Sequence, residues 1–137
     1  MENIQCILKN KPLPRNIECI LEKLIGDGEK ILFVIVGDLN LKGKYEETAL
    51  IFTRNFLISY NGEGSEKRFE YSEMKDVKAK RMYGNATLSA VMPDGQREVF
   101  FRYTYSVAAL CDASALFINH LNDGACFSTE NAVMHVT

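Results

Sequence analysis

At 137 residues, 47% hydrophobic and 25% charged, the chain has the length and composition of one globular domain rather than a disordered segment. Its 16 Lys and Arg against 18 Asp and Glu leave a formal charge of −2, which argues against non-specific nucleic-acid binding, since that draws on a basic surplus. No apolar run nears the ~20 residues of a membrane span, and the first ten residues lack the basic-then-apolar order of a secretion signal, so a cytoplasmic location is expected.

The stretch before Lys11 is weakly patterned, and Lys11-Pro12-Leu13-Pro14 reads as extended because each proline disfavours helix in its predecessor. Asn16 can cap a short helix whose Ile17, Ile20, Leu21 and Leu24 recur at helical spacing, ending at Gly26 and Gly28. Ile31 to Val36 has no periodicity and strong β preference, the mark of a well-buried strand. Gly37 to Lys44 reads as a polar loop. A second strand spans Thr48 to Thr53, a third Phe56 to Tyr60, and a fourth Lys67 to Tyr71. The turn chemistry of Asn61-Gly62-Glu63-Gly64-Ser65 separates the last two. After a link at Ser72-Glu73-Met74, a fifth strand runs from Asp76 to Met82, with Val77 and Ala79 inward and Lys78 and Lys80 outward. A sixth holds Leu88, Ala90 and Met92, and Pro93-Asp94-Gly95 turns the chain. In the seventh, Val99, Phe101 and Tyr103 alternate. The period then becomes helical: Val107, Leu110, Cys111, Ser114, Phe117, Ile118 and Leu121 form one stripe behind a capping Ser106. Residues after Asn122 are irregular and expected to be loose.

These elements predict a mainly β fold with two helices. A seven-stranded, strongly bent antiparallel sheet, or two orthogonal sheets, is capped by the C-terminal amphipathic helix and preceded by a short helix. The expected division is an N-terminal extension over 1–25, the domain over 26–122 and a tail over 123–137.

The cysteines Cys6, Cys19, Cys111 and Cys126 form no CxxC pair, which excludes a zinc ribbon or redox motif, and Cys19 and Cys111 are expected to be small buried hydrophobes on helices. The histidines, His120 and His135, have no neighbours suited to a metal site, and His120 is expected in the last turn of a helix. No metal and no cofactor is expected. The glycines form no phosphate cradle. Glu46 and Glu47 are adjacent at a strand start, where side chains diverge, so a solvated loop explains them better than acid–base chemistry.

Strand spacing and apolar positions over about residues 26 to 122 resemble the bacterial pleckstrin-homology-like (PH/GRAM-like) families. Asp27-Gly28-Glu29-Lys30-Ile31-Leu32 is similar to their entry into the first strand, Ala49 to Ile58 to their paired strands, and Phe69 to Val77 to their passage from a tyrosine through a short link into the next strand. The resemblance implies a PH-like barrel capped by a helix. It implies a non-catalytic interaction or scaffolding module, of the kind found at the N-terminus of larger membrane-associated, for example transporter-linked, proteins. Lipid-binding members hold inositol phosphates with basic residues early in the fold. Here Lys30, Lys42 and Lys44 are followed by Glu46 and Glu47, so no lipid-site residue is carried over.

Two surfaces are candidates for binding. Lys75, Lys78, Lys80 and Arg81 form the chief basic concentration, fit either for an anionic partner or for guarding an exposed strand against aggregation. Phe100 and Arg102 lie opposite Phe101 and Tyr103 by alternation and mark a partner or oligomer surface. A protein partner or self-association is expected first, and anionic lipid contact at the inner face of a membrane second. A small-molecule carrier or enzyme is the third reading, and it fails if Leu50, Phe52, Leu88 and Phe101 fill the sheet interior.

Overall fold

The computed structural model describes residues 6–9, 13, 15–24, 30–62 and 65–122. The expected tail over 123–137, the helix stop at Gly26 and Gly28, and the side chains of Cys6, Cys126 and His135 lie outside that description. Five strands form the first sheet in chain order: β1 (Cys6–Lys9), β2 (Ile31–Leu39), β3 (Tyr45–Thr53), β4 (Phe56–Tyr60) and β5 (Glu66–Glu70). Three form the second: β6 (Lys75–Met82), β7 (Asn85–Val91) and β8 (Arg97–Tyr103). Helix α1 (Arg15–Leu24) joins β1 to β2, and α2 (Ala108–Asn122) follows β8. Among the described residues the fold is mainly β with two helices, as expected, and the two sheets do not close into one hydrogen-bonded barrel.

The strand count differs by one. The weakly patterned N-terminal stretch contributes β1, which pairs parallel with β2, Cys6 opposite Ile31, while every later pair is antiparallel. The expected loop before β3 is also shorter, because β2 runs on to Leu39 and β3 begins at Tyr45. Asn40 closes the turn between them: its Oδ1 accepts from the backbone N–H of Lys42 and Lys44 at 2.9 and 3.0 Å.

The unbroken apolar run of β2 has a packing cause. One face, with Phe33 and Ile35, joins Leu50, Phe52, Leu57, Leu88 and Phe101 in the core between the sheets. The other, with Val34 and Val36, packs with Ala49, Ile51, Ile58 and Tyr60 under Ile17 and Leu21 of α1. A strand covered on both sides shows no alternation. Gly37 lets the sheets approach: a Cβ there would stand 2.7 Å from Thr48 Oγ1 and 3.1 Å from the Phe101 ring. Helix α2 buries the predicted stripe, Cys111, Ser114 and Ile118 fully, and Phe117 meets Phe52 and Tyr71 edge to face at 6.1 and 6.3 Å.

Two bulges interrupt the second sheet. In β8, Val99 opposes Ser89 but Phe101 opposes Leu88, so Phe100 is an extra residue. The kink turns Phe100 inward beside Phe101: it is 1% exposed, its ring 5.8 Å from that of Phe69, and its carbonyl accepts from the Ser59 hydroxyl. Val99 is instead left outside at 39% exposure. Simple alternation therefore misplaces both residues. In β6, Lys75 opposes Val91 and Lys78 opposes Ser89, so Asp76 and Val77 together face one residue of β7. Asp76 takes φ +49°, a left-handed value that aspartate tolerates better than most residues. The Asn119 side chain of α2 exchanges both hydrogen bonds with the Val77 backbone, at 2.8 and 2.9 Å, and so occupies the free edge of β6 there.

Candidate functional site

Directly opposed residues of an antiparallel pair share a face. Tracing the outer face of the second sheet across β6, β7 and β8 gives three rows: Lys75–Val91–Arg97, Lys78–Ser89–Val99 and Lys80–Thr87–Arg102. Five cations thus surround a small centre of two hydroxyl residues and two valines. Without the β6 bulge Lys75 would leave this face, and without the β8 bulge Arg97 and Arg102 would stand on opposite faces. The rows are about 7 Å apart along the strands, and the flanking columns about 10 Å apart across β7.

Among the described residues one carboxylate, that of Asp76, forms ion pairs with the cations of this face. Its Oδ2 lies 2.6 Å from Arg97 Nη2 and 3.5 Å from Lys78 Nζ. Arg97 also donates to the Asp76 carbonyl and to Ser89 Oγ, both at 3.0 Å, so it lies across β7 and ties the bulge down. Arg102 is half-buried and held at two points. Its Nε donates to the Leu41 carbonyl at 3.0 Å and its Nη1 to Asn85 Oδ1 at 2.7 Å, linking the β2–β3 turn to the β6–β7 hairpin. Lys75 and Lys80 are exposed and have no ion-pair partner among the described residues.

Of the residues picked from sequence, the structure brings Lys75, Lys78, Lys80 and Arg102 onto one face. It separates two. Arg81 pairs with Ala86 on the other face, 3.3 Å from Asp112 of α2 and over the Tyr105 ring. Phe100 is core, as described, and offers no surface to a partner. Arg97 was missed. Its only signal was its place two residues before Val99, on the face that the inward reading of Val99 assigned to the core.

Cys111 and His120 lie where expected, buried on α2 and in its last turn, but Cys19 is exposed. Cys19 falls on the open flank of α1 because Ile17 and Leu21 take the side facing the sheet. It borders a cleft of about 420 Å³ with Lys23, Glu46, Glu47 and Tyr60. Asn40 and Asn16 amides donate to Glu46 and Glu47, each at 2.8 Å, which suits a solvated rim. Burial pushes the thiol of Cys111 and the hydroxyl of Tyr103 far above their usual ranges, Asp112 adding to both. Both stay protonated, so neither is a ready nucleophile. Among the described residues no three His, Cys, Asp or Glu gather as a metal site, and no helix is long and apolar enough to cross a membrane. Leu50, Phe52, Leu88 and Phe101 fill the space between the sheets. No family model matches the chain, and no curated protein matches it.

Proposed function

We propose that this chain is a non-catalytic binding module of the pleckstrin-homology-like kind, docking an acidic segment of a protein partner on the outer face of its second sheet. The observation that carries the reading is the grouping of Lys75, Lys78, Lys80, Arg97 and Arg102 on one face, where among the described residues only Asp76 pairs with them. Gathering like charges costs self-repulsion, which an anionic partner relieves. Guarding β6 against strand pairing is a weaker account, because Asn119 already occupies its edge at Val77. The filled interior directs recognition to the surface.

The test is fluorescence anisotropy of a labelled glutamate-rich peptide at low and high salt, beside sedimentation with phosphatidylserine vesicles. Binding that weakens with salt is expected, because exposed charges are screened within about 10 Å at 0.1 M. The double variant Lys78→Glu, Lys80→Glu should lose about tenfold or more in affinity, while Lys42→Glu on the β2–β3 turn should change it little. Peptide binding that is absent, or indifferent to the double reversal, overturns the reading. Vesicle binding without peptide binding reassigns the partner to an anionic membrane.

A further inference from the structure

The basic face does not end at its last row. Lys75 and Val91, which open that row, also wall a cleft of about 450 Å³ with Ser72, Met92 and Pro93. The cleft lies where the link after β5 meets the turn between β7 and β8. Its chemistry differs from that of the face. Val91, Met92 and Pro93 supply an apolar wall, and one residue of each charge, Glu73 and Lys75, lines the rest. Glu73 is itself held, its Oε1 accepting from the Glu70 N–H at 2.9 Å, and it closes the short helical turn in a capping box. Such a cleft repels a second carboxylate and favours an apolar side chain.

From this we infer that the cleft is a specificity pocket for a bulky apolar residue preceding the acidic residues of the bound segment. The inference rests on the reading that the basic face binds an acidic protein segment. An extended chain carries its same-face side chains about 7 Å apart. That interval matches the spacing of the rows led by Lys75, Lys78 and Lys80. An apolar residue seated in the cleft therefore puts the second residue after it over Lys78 and Ser89, and the fourth between Lys80 and Arg102. The ligand class is an extended peptide with an aromatic or leucine side chain, then acidic residues at every second position. The acids supply steering and salt-sensitive attraction, and the apolar anchor selects the sequence.

The experiment uses the full chain and three labelled peptides read by anisotropy. One carries phenylalanine followed by glutamate at the second and fourth positions after it. Another replaces the phenylalanine by alanine. The last moves the phenylalanine by one residue, off the shared face. The first should bind about tenfold or more tighter than the other two, the scale expected for burying one large apolar side chain. Filling the cleft with Ser72→Phe, at an exposed position, should remove that advantage while leaving the alanine peptide's affinity unchanged. Val91→Lys, at the half-buried wall, serves as a second variant, and circular dichroism checks that both fold. Equal binding of all three peptides overturns the pocket and leaves the basic face standing. An advantage that survives in both folded variants also overturns it. Binding by none of the three overturns the pocket and the reading beneath it together.

Discussion

Replacing Phe100 by alanine tests the bulge on which the site depends. The ring is 1% exposed and lies 5.8 Å from the Phe69 ring, inside the core between the sheets. Removing a buried phenylalanine ring costs about 3–5 kcal/mol, because the lost transfer energy is joined by the energy of the cavity left behind. That is a large share of the roughly 5–15 kcal/mol by which a domain is stable. With a urea slope of about 2 kcal/mol per molar, the midpoint should fall by about 2 M. Were Phe100 on the surface, as alternation places it, the change would stay within about 0.5 kcal/mol. Urea unfolding followed by circular dichroism decides between the two. A loss under about 1 kcal/mol with an unchanged slope refutes the inward placement, and with it the shared face of Arg97 and Arg102. Phe100→Leu keeps much of the volume and should cost clearly less than the alanine variant.

Other expectations follow from the same contacts. Asp76→Asn keeps a residue that tolerates positive φ but removes the carboxylate facing Arg97 and Lys78. It should cost no more than about 1 kcal/mol in stability, tighten acidic-peptide binding and steepen its salt dependence; weaker binding would contradict the charge argument. Asn119→Ala strips both side-chain hydrogen bonds from the Val77 backbone and should cost about 1–3 kcal/mol, with faster hydrogen exchange at the Val77 amide. An unchanged exchange rate would show that α2 does not secure that edge. Iodoacetamide should modify Cys19 in the native chain and Cys111 only after denaturation, as peptide mapping would reveal. The raised pKa of Cys111 gives stability a definite pH sign. Below about 8.5 the thiol is neutral folded and unfolded. Above it the unfolded chain ionises while the folded chain holds its proton, so stability falls as pH rises, and Cys111→Ala should flatten part of that fall. Urea midpoints between pH 7 and 10 measure this, and an identical slope in the variant would refute it.

Much of the fold is legible in the chain because it depends on local periodicity. Ile17 and Leu21 mark the buried side of α1, the unbroken run from Ile31 marks a doubly covered strand, and the stripe from Val107 to Leu121 marks the capping helix. The turns at Asn61-Gly62 and Pro93-Asp94-Gly95 stand where positive φ is required at Gly62 and Gly95. What escapes is β1, whose short stretch has no pattern of its own and becomes a strand only by pairing with β2.

The candidate site divides along the same line. Lys78 and Lys80 can be placed on one solvated face from sequence, since no irregularity falls between them. Arg102 can too, since it alternates with the buried Phe101 and Tyr103, but Lys75, Arg97 and Phe100 cannot, because Phe100 is itself the bulged residue and a bulge separates Lys75 and Arg97 from the residues beyond it. A bulge is settled by contacts far away in the chain. Phe100 turns inward where Phe69 and the Ser59 hydroxyl receive it, and the Asp76 bend is held by Arg97 and stands beside Val77, which Asn119 anchors. One extra residue reverses the facing of all that follow. Seven of the eight strands, both helices and the presence of cations follow from local pattern. That five of those cations share a face follows from long-range packing, which sets the phase of a bulged strand where local alternation does not.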